Sequence, residues 1–143
     1  MKGAAGLYSK EFFELAKAHL NPGGIITQWV PLYEANEEAV KSEIATFLEV
    51  FPNGMVFANT VNGQGYDVVL LGQGEPTTID VDKMQERLNA PEFARIAQSL
   101  RGIGFNSARD LMATYAGNAI DLKEWMKDAV INRDRNMRLQ YLA

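Results

Sequence analysis

Apolar positions along the chain fall into two alternating rhythms, one helical and one extended. Phe12, Leu15, Ala16 and Leu20 recur at helical spacing behind Ser9, a natural N-cap, and Asn21, Pro22 and Gly23 end that helix. A strand over 24–30 follows. Asn36 precedes Glu37 and Glu38, acids that suit a helix N-terminus, and Val40, Ile44, Phe47, Leu48 and Phe51 form an apolar stripe of period 3.6. "FPNG" stops this second helix, "MVFANTV" reads as a strand, and "NGQG" supplies turn residues before the nearly continuous apolar run "YDVVLLG". Such a run, Val68 to Leu71, is expected to be covered on both faces. Helix, strand, helix, strand, strand is the order of an α/β fold.

From Gly72 onward the pattern changes. "GQGEPTTIDVD" is a turn-rich connector, and short capped helices follow it. Asp80 or Asp82 can open one that carries Met84 and Leu88. Pro91 suits the first turn of the next, with Phe93, Ile96, Ala97 and Leu100 inward. Ser107 and Asp121 are candidate caps for two more, the latter with Glu124 three residues on. In the tail "INRDRNMRLQYLA", Arg133, Arg135 and Arg138 surround Asp134, while Ile131, Met137, Leu139 and Tyr141 interleave with the charges. That pattern fits a solvated face, an edge strand or a docking segment. Two regions result: an α/β part over 1–73 and a helical extension over 74–143.

Composition narrows the chemistry more than it names it. With 143 residues, 47% hydrophobic and 22% charged, the chain suits one ordinary folded domain. A net charge of −4 argues against a general nucleic-acid or anionic-membrane surface. There is no cysteine and a single histidine, His19, so thiol catalysis, disulfides and Cys- or His-rich metal sites are excluded. No apolar run reaches the roughly 20 residues needed to cross a bilayer, and the start is too short in apolar residues for a signal peptide. A cytoplasmic setting is expected.

The candidate motifs mostly have structural explanations. Gly23 and Gly24 follow a helix and open a strand, the reverse of a phosphate loop, and "GQGYD" and "GQGE" lack a third glycine at dinucleotide spacing. The acid pairs Glu37/Glu38 and Asp80/Asp82 sit at helix starts. Ser9, Ser42, Ser99 and Ser107 lack a nucleophile-elbow context. Gln28 is different: an amide at a strand end can donate and accept at once, and ligands of open α/β sheets sit beyond the carboxyl ends of parallel strands. Strands also end in polar residues for no chemical reason.

The stretch "GAAGLYSKEFFELAKAHLNPGGIITQW" resembles the part of spermidine synthase-like aminopropyltransferases that follows their catalytic acidic loop. Gly3, Ala4, Leu7, Tyr8, Phe12, Phe13, Leu20, Pro22, Gly23, Gly24 and Gln28 carry the match. "FLEVFPNG" and "GQGYDVVLLGQ" extend it to about residue 73. Asn132, Asp134 and Leu139 to Tyr141 are similar to the C-terminal regions of bacterial members, some of which are fused to membrane segments.

The resemblance implies the C-terminal portion of a class I methyltransferase-like, Rossmann-like sheet with about three strands, followed by a helical C-terminal region. It implies transfer of an aminopropyl group from decarboxylated S-adenosylmethionine to an amine such as putrescine in a complete protein. The nucleotide loop, the ribose-binding acid and the catalytic acidic loop would lie upstream of Met1, so the chain itself would hold no catalytic residue, no cofactor and no metal. Gln28, Tyr8 and Trp29 become candidate substrate contacts, with Gln28 at the carboxyl end of its strand. The family's Tyr-Pro-Ser-Gly segment, whose tyrosine lines the amine pocket, has its nearest match in "TVNG", with Thr60 or Val61 in place of the tyrosine. A missing fourth strand would leave Ile25, Ile26 and Val30 on a bare edge, which predicts a homo-oligomer. Two other functions fit the same residues: a non-catalytic binding or assembly domain, and part of another S-adenosylmethionine-dependent transferase.

Overall fold

A computed structural model describes residues 5–33, 35–61, 64–76 and 78–142. The chain forms two compact units, one made of the residues up to 76 together with 116 onward, the other of 77–115.

In the first unit, a 3-10 turn, Ala5–Tyr8, leads into helix α1, Lys10–Ala18, whose N-cap is Ser9. The Ser9 side chain accepts from the Phe12 N–H at 3.2 Å, and Gly23, at φ +71°, makes the left-handed turn that ends the helical segment. Strand β1 runs over Ile25–Pro31 and helix α2 over Glu37–Val50, capped by Asn36. Strands β2, Met55–Val61, and β3, Gln64–Gln73, complete the α/β order read from the sequence.

Strand order is β1-β3-β2-β4, where β4 is a short strand, Tyr115–Asn118. β3 pairs antiparallel with both β1 and β2, so those two flanking strands run in the same direction, with α2 as the crossover between them. The register sets Val30 opposite Val68 and Gln28 opposite Leu70 on one side of β3, and Val56 opposite Leu70 on the other. Ile26, Gln28, Val30, Val56, Val68 and Leu70 therefore share the face that packs on the helices. Phe13, Phe47, Phe51, Leu70 and Val30 fill this layer and are almost completely buried. The ring of Phe47 meets Phe13 edge-on at 5.2 Å and Phe51 at 4.9 Å. Gly72 is required beneath them, because a Cβ there would come within 2.7 Å of the Phe51 ring and 2.9 Å of Phe47.

Three expectations need correction here. The run Val68 to Leu71 is not covered on both faces: Val68 and Leu70 are buried while Val69 is 36% exposed, in the company of Ile25 and Trp29 on the same face. The cause is pairing: β3 lies between antiparallel neighbours, and the helices of its unit pack on one side, which gives an alternating strand instead of a fully enclosed one. Asp121 does not open a helix. Its carboxylate accepts from the Asn118 N–H at 3.1 Å, Asn118 Oδ1 accepts from Ile120 N–H, and 119–128 is a series of turns. Third, the tail neither runs as an edge strand nor belongs to a helical extension beginning at 74. Residues 116 onward return to the α/β unit, and the chain ends in a one-turn helix, α6, Arg138–Leu142.

Asn132 explains the return. It is fully buried, its Nδ2 donates to the Ala5 carbonyl at 2.8 Å, its Oδ1 accepts from Leu139 N–H, and its own N–H donates to Thr46 Oγ1 at 2.9 Å. Ser42 Oγ donates to the Val130 carbonyl at 2.6 Å. Arg133 pairs with Glu11 and Glu49, and Arg138 with Glu38. The basic tail is a docking segment whose receptor is helices α1 and α2 of the same chain.

The second unit contains α3, Val81–Asn89, a 3-10 turn, Pro91–Phe93, α4, Ala94–Gly102, and α5, Ala108–Met112. Asp80, not Asp82, caps α3, accepting from Lys83 N–H at 3.0 Å, and Ser107 caps α5.

Candidate functional site

Tyr8 closes the 3-10 turn that precedes α1. The turn is held at Ala5, whose carbonyl is taken by Asn132, and at Gly6, whose carbonyl accepts from Ser9 Oγ at 2.9 Å. Thus fixed, the half-buried Tyr8 ring packs on the core, with the Gln28 side chain near enough to its hydroxyl to favour the ionised phenol slightly. Gln28 lies in the middle of β1, three residues short of its end, and not at the carboxyl end that the resemblance implies. Its even-numbered position turns it toward the helix layer, and its Nε2 donates to the Trp29 carbonyl at 3.2 Å. Two of the three candidate contacts are therefore neighbours.

Trp29 is not part of that pair. Adjacent strand residues point to opposite faces, so its indole stands on the open side, 45% exposed, where Nε1 donates to Asp67 Oδ2 at 3.0 Å. Tyr33 lies 6.5 Å from the Trp29 ring and stacks on Tyr66 at 4.6 Å. Thr60, a candidate for the tyrosine position of the family, is exposed at the end of β2. Residues 62 and 63 of the same motif lie outside the described residues, as do Gly3 and Ala4.

A third group, near Tyr8, is one that composition and motif reading passed over. Glu43, on α2, is 1% exposed, and neither of its carboxyl oxygens has a hydrogen-bond partner. Burial pushes its pKa up to about 8. Tyr8 is raised above its ordinary value, first by burial and then by the nearby Glu43 charge, while the Gln28 amide pulls the other way. The signal was available: Glu43 falls three residues after Val40 and four before Phe47, inside the apolar stripe where a carboxylate has no structural reason to be.

The contrast with its neighbours is sharp. Ser9, Ser42, Thr46 and Asn132 are equally buried, and each has partners. Among the described residues there is no cluster of three or more His, Cys, Asp or Glu side chains able to hold a metal ion, and no helix long and apolar enough to cross a membrane. What the site offers is one buried acidic group near a half-buried phenol, with a half-buried amide beside the phenol.

No protein-family model and no curated protein matches the chain.

Proposed function

We propose that the chain is the C-terminal part of a spermidine synthase-like aminopropyltransferase, with Tyr8 and Gln28 contacting the acceptor amine. The observation that carries this reading is the proximity of Tyr8 and Gln28, two residues 20 positions apart that the resemblance nominates independently: the Gln28 amide acts on the Tyr8 phenol, and both side chains are half-buried. The position of β1 at one end of the sheet supports it, since that is where a further strand would add. Gln28 is neutral, so it can orient an amine without competing for its proton. The nucleotide site and the base that deprotonates the attacking nitrogen would be supplied by residues upstream.

The decisive experiment is transfer of the aminopropyl group from decarboxylated S-adenosylmethionine to putrescine. A complete protein carrying upstream nucleotide-binding residues turns over, and the present chain alone does not. In that complete protein Gln28→Ala raises KM for the amine by the equivalent of about 1–3 kcal/mol and leaves the melting temperature in place. Unchanged amine kinetics with a lowered melting temperature assign Gln28 to structure instead.

One feature favours a second reading, a binding or assembly domain. Ile25, Trp29 and Val69 on the open sheet face, with Tyr33 and Tyr66 beside them, are 36–55% exposed. Such a face and a free β1 edge suit self-association. Light scattering at micromolar concentration distinguishes a homo-oligomer from a monomer.

A further inference from the structure

We propose that the helical unit binds a single-chain aliphatic carboxylate, with the hydrocarbon in a cleft between α3 and α4 and the headgroup at Arg87. The site lies wholly within residues 79–96, apart from Tyr8 and Gln28, and stands or falls independently of aminopropyl transfer.

Helix α3 carries Met84 and Leu88 one turn apart, yet it contains no buried residue, and Ile96 of α4, expected inward from its spacing, is 54% exposed. The two helices do not close on each other. Their apolar side chains, with Ile79 and Phe93, instead line a cleft of about 380 Å³. That volume falls in the range of small-molecule sites, which are mostly apolar with a few placed polar groups. The flexible thioether of Met84 suits a wall that must fit a flexible chain.

Charge selects the headgroup. Lys83 and Arg87 stand one helical turn apart on α3, and both border the cleft. Asp80 borders it too, but its Oδ1 accepts from the Lys83 N–H at 3.0 Å and its Oδ2 lies 3.6 Å from Lys83 Nζ, so this carboxylate is already engaged. Among the described residues Arg87 is paired with no carboxylate, and its guanidinium carbon stands 4.8 Å from the centre of the Phe93 ring. A guanidinium resting on a ring keeps the donors along its edge, which can grip a carboxylate through two parallel bonds. Two cations against one carboxylate leave a single positive charge at the cleft, which matches a monovalent carboxylate better than a dianionic phosphate and repels a cationic amphiphile.

The test is calorimetric titration of the full chain at pH 7 with octanoate, decanoate and dodecanoate, each below its micelle concentration. One saturable site is expected, with a Kd that falls about fourfold per added methylene, and no binding of dodecyltrimethylammonium over the same range. Arg87→Gln removes the charge and should weaken dodecanoate about fivefold or more. Ile96→Asp sets a carboxylate at an exposed position on the cleft and should abolish binding. A Kd indifferent to chain length, equal binding of the cationic amphiphile, or unchanged affinity in both variants overturns the proposal. If the variants fail to fold, methyl NMR of Met84 and Ile96 in the unsubstituted chain decides: dodecanoate must shift those signals, and shifts confined to Ile25 and Val69 on the open sheet face overturn the proposal. Shifts of the Met84 and Ile96 methyls with protein concentration alone would give the cleft to a second copy of the chain, which also overturns it.

Discussion

The two compact units of this chain are held together in different ways. The α/β unit has a true core, with Phe13, Phe47, Phe51, Leu70 and Leu139 exposed by no more than 1%. Among the described residues of the helical unit, only Ala97 and Ala108 are buried. Its order comes from ends and edges: the Asp80 and Ser107 caps, Gln85 Oε1 accepting from Ala108 N–H at 2.8 Å, and the Arg87 guanidinium 4.8 Å from the centre of the Phe93 ring. Caps contribute about 1 kcal/mol each, whereas a buried aromatic contributes several. Helices of nine residues are also too short to persist without packing. The helical unit should therefore open locally at lower free energy than the α/β unit.

The strongest challenge to that contrast is Phe47→Ala, which removes the ring that both Phe13 and Phe51 contact. A loss of about 3–5 kcal/mol is expected in denaturant unfolding. Hydrogen exchange should show α2 amides losing protection while those of α3 change little; an equal loss in α3 would mean one cooperative block, and the contrast would fail.

Titration sharpens the comparison next. Glu43 ionises near 4.5 in an unfolded chain and near 8 in the folded one. Between those values the folded state holds a proton that the unfolded state has lost, so stability is greatest at the acid end of the window and falls as pH rises toward 8. The slope is at most about 1.4 kcal/mol per pH unit. Glu43→Gln should flatten this dependence in urea melts from pH 5 to 8, and an unchanged slope would place its origin elsewhere.

Asn132→Ala comes third. It leaves the Ala5 carbonyl and the Leu139 N–H without partners, at a cost of about 1–3 kcal/mol, and should make the tail beyond residue 130 susceptible to proteolysis. The smallest effect is Asp80→Ala, about 1 kcal/mol from a lost cap, which should read out as faster exchange at the start of α3 and leave α2 untouched.

What the sequence made legible was local. Ser9, Asn36 and Ser107 act as the caps their positions indicate, and the stripe from Val40 to Phe51 is the buried face of α2. Periodicity could not show that β3 would lie between β1 and β2, so it missed the exposure of Val69. It could not show β4 either, a strand of four residues, Tyr115–Asn118, with no apolar alternation. The two neighbouring candidates, Tyr8 and Gln28, came from resemblance, while Trp29 was separated from Gln28 by a single step of the strand pleat. Glu43 was hidden because a glutamate inside a helix is ordinarily a surface residue. Only its phase against Val40 and Phe47 marks it.

The bonds made by residues 130–132 also set a timetable. Thr46 and Asn132 are 86 positions apart, so at the usual pace of synthesis of about 5–20 residues per second α2 waits roughly 4–17 s before its polar partners exist. Through that interval Ser42 and Thr46 face the solvent and the Ala5 carbonyl lacks its amide donor. A nascent chain stalled before residue 130 should be a substrate for chaperones, and one released after residue 142 should not.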